Sequence, residues 1–505
     1  MRHPFIVCLV LTAALMAGGC GGQNQASEQA DGPYEPSWSS LERYDEAPAW
    51  FRDAKFGIYL HWGVLSVPAF ANDWYPRNMH VRGSREHRHQ TETYGPLSAF
   101  GYHDFVPMFR AERFDPDAWA ELFRRAGARF AGMVAEHHDG FSMWDSAVNP
   151  WNAVAMGPRR DLVGALEAAV HARGMRFVAT FHMARNLQLY AERPEAQTDS
   201  SYFPYDAEMA TASEDPALRI LYGNIPLEQF YANWLAKLKE VIDRYHPDLI
   251  YFDGLLGKIP EAYKQEFLAH YFNRAVARGR EVVVTSKNDE LPAEVSLSDY
   301  EKGRMHELTP HTWLTDETVS TGSWSYVEGL EYKPAREILH VLLDVVSKNG
   351  SMMLNVSPRA DGTIPEEQQA VLMEIGDWLG RYGEAVYETR PWTVYGEGPT
   401  QLDAGGHFLP RVEYSPADVR YTTRGDTVYA VLLGWPGARA TTRLAAFAKA
   451  RLGPGFRVTG VSMLGASEPV AWEWRADGLE VTTPSETIDD HAVVFAVTTS
   501  GGAAR

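Results

Sequence analysis

The chain has 505 residues, 45% of them apolar and 12% aromatic, with 47 Lys and Arg against 66 Asp and Glu for a formal charge of −19. That composition excludes a disordered chain, and the length, at roughly 100–200 residues per domain, excludes a small stapled fold and allows a barrel-sized domain with a smaller companion. The negative field repels nucleic acid and anionic membrane surfaces and favours a neutral ligand, while 15 Trp and 24 Tyr suit faces that stack on sugar rings.

The N-terminus reads as a leader. Arg2 and His3 precede the apolar run "FIVCLVLTAALMA", then Ala17-Gly18-Gly19-Cys20 and the polar tail "GGQNQASEQADGP". This is the pattern of an export signal too short to span a bilayer. Small residues before a cysteine resemble a bacterial lipobox. Cys20 is then the candidate lipidated first residue of an exported, periplasmic or outer-membrane-anchored lipoprotein, with the lipid as its only membrane contact. The alternative is an ordinary cleaved signal. Cys8 and Cys20 are the only cysteines, so the domains that follow hold no disulfide.

From about Trp50 to Pro391, strand-like and helical stretches alternate. "FGIYLHWG" is a strand, "PDAWAELFRRAGA" a helix, "RFAGMVAEHH" a strand, "DLVGALEAAVHARG" a helix ending on a glycine, and "MRFVATFH" a strand. The helix "PLEQFYANWLAKLKEVIDRYH", the strand "DLIYFDG", the helix "EAYKQEFLAHYFNRAVARG" and the strand "EVVVTS" follow. After a long connection, "PAREILHVLLDVVSKNG", "SMMLNVSP" and "PEEQQAVLMEIGDWLGRYGEAV" close the series. That many βα units predict an α/β fold, a (β/α)8-like barrel. Past Gly396, "DVRYTTRGDTVYAVLLGWP", "RVTGVSML" and "HAVVFAVTT" alternate apolar and polar residues, which predicts a C-terminal β-sandwich. The expected division is 1–20 signal, 21–47 polar linker, 48–395 barrel and 396–505 sandwich.

Chemistry in such a barrel sits where strands end. Four strands end on polar groups: His61-Trp62, His137-His138-Asp139, His182 and Asp253. Each has a structural explanation by itself; the set points to a site. Asp253 closes an apolar strand, and an acid there is costly unless ionised and used or hydrogen-bonded. It suits the ionised member of a glycosidase's carboxyl pair. His61, His137 and His182 could also converge on a metal, although "HHD" lacks the usual ligand spacings. No phosphate loop, nucleophile elbow or nucleotide fingerprint stands in a supporting context.

The blocks "WFRDAKFGIYLHWGVLSVPA", "DWYPRNM", "EHHDGFSMWDS", "YHPDLIYFDG", "TGSWSY", "LLDVVSKNGSMMLNVSPRADGTIP" and "VYETRPWTVYGEGP" resemble, in that order, glycoside hydrolase family 29, the α-L-fucosidases. The resemblance implies a retaining, exo-acting hydrolase of terminal α-L-fucosyl residues, with Asp253 as nucleophile. It puts His61, His137, His138, Asp73 and Trp74 on sugar-binding positions, where the family more often has Glu for Asp73. Tyr251 stands where Trp is usual, and Trp324 lines the pocket. Trp62, His182 and Lys287 complete the expected substrate-binding set. Fucose offers hydroxyls for buried donors and acceptors, and a methyl group for an aromatic wall.

The acid/base must come from a loop after Asp253. Glu301 in "SDYEKGR" is the first choice and Glu317 in "WLTDETVS" the second, with Glu307 and Asp316 behind; Arg304 falls near where the family often carries its Glu. The expected partner is a fucosylated oligosaccharide or glycoconjugate, with no cofactor and no metal. The rival readings are a catalytically impaired fucose-binding relative and a metal-dependent barrel hydrolase.

Overall fold

The computed structural model describes residues 32–45, 47–188 and 201–501, so Cys20 and the expected signal lie outside the described residues. The barrel strands are β1 Phe56–Leu60, β2 Phe130–Glu136, β3 Arg176–Phe181, β4 Leu249–Phe252, β5 Val283–Ser286, β6 Leu297–Ser298, β7 Trp313–Thr318 and β8 Gly350–Val356. They form one sheet in the order β6-β5-β4-β3-β2-β1-β8-β7, with every neighbouring pair parallel. A bridge between Asp299 and Leu314 joins β6 to β7 and closes the ring, with Tyr300 N donating to Leu314 O at 3.0 Å.

Strands covered on both faces need near-continuous apolar sequence, and β1, β2 and β8 are buried at every position. The core divides accordingly. Tyr59, Phe130, Val134, Val178, Leu249, Tyr251, Val283, Leu297, Leu314 and Met353 form one cluster inside the barrel. Alternate residues such as Ile58, Met133, Ala179, Ile250, Val284 and Met352 join the cluster beneath the helices.

Helices Pro116–Arg125, Leu162–Ala172, Leu227–Tyr245, Glu261–Ala277, Ala335–Ser347 and Glu366–Tyr382 cover the outside. The first two start on Asp115 and Asp161, whose carboxylates accept from Ala118 N at 3.0 Å and Gly164 N at 2.9 Å, satisfying amides that a helix start leaves unpaired. The chain leaves the second through Gly174 at φ +72°, a conformation glycine adopts without penalty.

The stretch 287–333, read above as a long connection, instead contains β6 and β7. No α-helix occurs among its described residues, so the barrel lacks its helices after β5 and β6. β7 escapes a sequence reading because "WLTDET" places Thr315, Asp316 and Glu317 in a strand that is nonetheless buried throughout.

The second domain begins with β9 Arg390–Glu397, which straddles the expected boundary at 395/396. It continues through β10 Val419–Arg424, β11 Thr427–Leu432, β12 Thr441–Leu444, β13 Arg457–Met463, β14 Ala471–Trp474, β15 Leu479–Thr482 and β16 Val493–Ser500. A five-stranded sheet, β13-β16-β11-β10-β9, and a three-stranded sheet, β12-β15-β14, are antiparallel and share one core that includes Trp392, Tyr421, Phe447, Leu479 and Phe495. The domain docks on the last two barrel helices: Arg420 Nε lies 2.6 Å from Asp344 Oδ1, and Trp378 Nε1 donates to Ala492 O at 3.0 Å.

The connection from β9 to β10 crosses to the barrel mouth. Arg304 and Gly406 exchange backbone hydrogen bonds of 3.2 and 3.0 Å, Phe408 N donates to Glu301 O at 2.7 Å, and Leu409 N to Lys302 O at 3.0 Å.

Candidate active site

Side chains two residues apart on a strand share a face, and the inward face of this barrel changes chemistry along its length. Leu249 and Tyr251 lead to Asp253, Val283 and Thr285 to Lys287, Leu297 and Asp299 to Glu301, Val178 and Thr180 to His182, and Tyr59 to His61. Apolar residues fill the base, and charged groups and imidazoles crowd the C-terminal rim.

The rim encloses a cavity of about 380 Å³. His61, Asp73, Trp74, His137, His138, His182, Asp253, Lys287, Glu301 and Trp324 all line it, so most of the expected site converges. A larger cavity of about 480 Å³ lies between Ala69–Ala71 and Arg85–Thr93. None of the expected site residues lines it.

Asp253 is the electrostatic centre. Its Oδ1 accepts from Lys287 Nζ at 3.0 Å and its Oδ2 from His138 Nε2 at 2.9 Å, with Arg185 Nε at 3.9 Å. Burial pushes its pKa up, but the Lys287 charge and the His138 hydrogen bond overcome this and hold it well below the usual carboxylate range. The carboxylate is therefore ionised at neutral pH.

Glu301 stands on the other side of the same lysine, its Oε2 2.6 Å from Lys287 Nζ. Burial raises its pKa, Lys287 opposes this, and Asp316 and Asp253 add to the rise, leaving it at about 7. One carboxyl kept ionised beside another that holds its proton near neutrality is the division of labour that acid/base chemistry needs.

Beneath them lies a buried acid pair. Tyr59 Oη donates to Asp316 Oδ2 at 3.0 Å, and Tyr251 Oη lies 3.1 Å from Asp299 Oδ2 and 3.2 Å from Asp316 Oδ2. Burial, with the Asp316 charge, raises Asp299 well above its usual range. Two buried carboxyls this close do not both ionise readily, so the pair favours keeping a proton.

The imidazoles make the other wall. His61 Nδ1 donates to Asn355 Oδ1 at 2.8 Å, leaving Nε2 as an acceptor. His138 gives its Nε2 proton to ionised Asp253, leaving Nδ1 unprotonated. The Nδ1 atoms of His137, His138 and His182 are buried without a protein partner. Burial pushes His61 down to about 4, and burial with the neighbouring imidazoles keeps His137 and His182 well below the usual range. A row of neutral imidazoles with unpartnered nitrogens offers acceptors suited to hydroxyl groups. His61, His137 and His182 also bring ligand nitrogens within 4.8 Å of one another, as a metal site at these strand ends would require.

The aromatic wall is fixed from behind. Trp324 N donates to Asp73 Oδ1 at 3.2 Å, and Asn355 Nδ2 donates to Trp324 O at 2.7 Å. Trp74 lies against His138, with ring centroids 5.3 Å apart, and under the Arg185 guanidinium.

Five residues singled out in the sequence do not line the cavity. Trp62 is buried outward, with Nε1 donating to Arg359 O at 2.7 Å and its ring packed on Trp119. Tyr251 lies below the floor, in the barrel interior. Glu317 points to the outer side of β7, paired with Lys333 at 2.6 Å, because one step along a strand reverses the face. Glu307 is exposed away from the cavity, and Asp139 is buried behind it against the Tyr102 hydroxyl. Arg185, Asn288, His407 and Phe408 line it unexpectedly, and Asp316, placed behind Glu301 and Glu317 as acid, lines it too. Arg185 and Asn288 follow strand ends, so the same rule could have found them. No sequence signal marks His407 and Phe408.

The α-L-fucosidase family model matches residues 22–384, and the α-L-fucosidase C-terminal domain model matches 413–499. The chain is 32% identical over 446 residues to tissue α-L-fucosidase of Rattus norvegicus, covering 86% of this chain and 84% of that one. It is 30% identical over 476 residues to plasma α-L-fucosidase of Homo sapiens, covering 90% and 89%. Among solved structures, Thermotoga maritima α-fucosidase in complex with fucose superposes with a TM-score of 0.72 at 26% identity, covering 92% of this chain and 100% of that one.

Proposed function

The chain belongs to the α-L-fucosidases of glycoside hydrolase family 29, and on that premise we propose an exo-acting, retaining enzyme that removes terminal α-L-fucosyl residues from oligosaccharides or glycoconjugates. Asp253 attacks C1 while Glu301 protonates the departing glycosidic oxygen. The C1–O bond breaks and an Asp253–fucosyl ester forms. Glu301, now ionised, takes a proton from water, which attacks C1, breaks the ester and releases fucose with its configuration retained.

The observation that carries this reading is the single ammonium between the two carboxyls, 3.0 Å from one and 2.6 Å from the other. The two bonded oxygens are therefore at most about 6 Å apart, which is compatible with the roughly 5–5.5 Å carboxyl separation of retaining enzymes. The neutral imidazoles take the sugar hydroxyls, and Trp74 and Trp324 supply the walls.

The test is hydrolysis of an aryl α-L-fucoside, beside the matching galactoside, by protein lacking residues 1–20, with the first-formed anomer followed by NMR. Release of α-L-fucose, lost in Asp253→Ala and recovered with azide as a fucosyl azide, is the expected result; β-L-fucose as first product would refute retention. Fucose binding without turnover would favour the impaired relative. The His61, His137 and His182 cluster motivates the metal reading, which requires that a chelator abolish activity and zinc restore it.

The leader supports export with a lipid on Cys20. Membrane fractionation that Cys20→Ala abolishes is the outcome expected.

A further inference from the structure

Phe408 combines two unfavourable features. Among the described residues it is the most exposed of the large apolar side chains, at 64%, and its backbone is left-handed at φ +51°, a strained region for a residue with a bulky side chain. Opposite it, Lys302 is also left-handed, at φ +45°. The two strained residues hold each other's segments: Phe408 N bonds Glu301 O, Leu409 N bonds Lys302 O, and Arg304 pairs with Gly406. Hydrogen bonds thus fix the backbone that carries an exposed ring.

The ring lines the same cavity as Asp253 and Glu301. Its segment touches the backbone of Glu301, the group proposed to protonate the departing oxygen, so it stands on the leaving-group side. His407 is part of the same arrangement: its Nδ1 accepts from Glu301 N at 3.0 Å. That acceptor role leaves Nε2 as the protonated nitrogen of the neutral ring.

We propose that Phe408, with His407, forms the subsite for the leaving group, and that its ligand is a pyranose ring, the sugar to which fucose is attached. The apolar face of the pyranose stacks on the Phe408 ring, and His407 Nε2–H donates to one of its hydroxyls. The second domain thereby takes part in substrate selection. The inference rests on the fucosidase reading and refines it.

Wild-type turnover of an aryl α-L-fucoside tests that underlying reading first; its failure would remove the fucosidase reading and this subsite with it. The subsite is then measured as the ratio of kcat/KM for an α-L-fucosyl hexopyranoside to that for methyl α-L-fucoside. Both substrates need the acid, but only one offers a ring to stack. Phe408→Ala is expected to lower the ratio by about tenfold, mainly through KM, as loss of one aromatic face against a bound ring should. Phe408→Tyr should restore it. An unchanged ratio, including a parallel fall on both substrates, would mean that Phe408 only braces the Glu301 loop and would overturn the proposal.

Discussion

Lys287 Nζ lies 2.6 Å from Oε2 of Glu301, and the same nitrogen reaches Asp253 Oδ1 at 3.0 Å. Its own pKa is well above the usual lysine range because, against burial, Asp253, Asp316 and Glu301 all stabilise its charge. The lysine is a fixed cation that biases both carboxyls toward ionisation. Their different surroundings then separate them, with Asp253 held ionised and Glu301 left near 7.

The rate should therefore follow a bell. The proposed mechanism requires Asp253 ionised and Glu301 protonated, so kcat/KM is expected to fall above about pH 7 as Glu301 loses its proton. Lys287→Met removes a charge that lowers both pKa values, so both limbs should move to higher pH and kcat/KM should drop more than ~10-fold. A pH profile of the variant with an unmoved alkaline limb would show that Glu301 is not the titrating acid.

The two acid candidates separate by mutation. Glu301→Gln should cost about 10²–10⁴-fold on an unactivated glycan and abolish the alkaline limb, with a much smaller loss on an aryl fucoside whose leaving group needs no proton. Glu317→Gln should keep kcat/KM within a few-fold, since Glu317 faces Lys333 outside the cavity. The reverse pattern would transfer the role to Glu317.

The buried acid pair gives a signed test. The Asp316 anion raises the pKa of Glu301, so Asp316→Asn should move the alkaline limb to lower pH. Burial and the neighbouring Asp316 push Asp299 well above the usual carboxylate range, so Asp299→Asn, a neutral replacement of similar shape, should leave that limb in place. Equal shifts in the two variants would mean that the proton is not localised on Asp299.

The domain junction should be a stability determinant. Asp344 accepts from Arg420 at 2.6 Å and from Lys348 at 2.9 Å, and all three side chains are at most 4% exposed. Asp344→Ala strands two buried cations, a loss of about 3–5 kcal/mol for a broken buried pair. A thermal melt should show a clearly lower Tm, with kcat/KM of the folded fraction unchanged at 25 °C. An unaltered Tm would mean that water or a rearranged partner replaces the carboxylate.

Much of the barrel is legible in the sequence because parallel strands buried on both faces write themselves as apolar runs, and their helices as periodic ones. The strand-end rule likewise brings out His61, His137, His138, His182 and Asp253, since a polar group ending an apolar run is unusual in any single sequence. β7 is not legible, because its buried Asp316 and Glu317 are compensated by Tyr59, Tyr251 and Lys333, and compensation across the barrel leaves no mark on the strand itself. The sequence alone thus determined the architecture, the nucleophile candidate and the imidazole wall. Only the tertiary structure placed Glu301 against Lys287 inside the cavity and Glu317 against Lys333 outside it, which depends on which face of the chain each occupies, and only it carried Phe408 from the second domain to the barrel mouth. Both are contacts between segments distant in the chain, and local periodicity records which residues are buried, not which partners meet them.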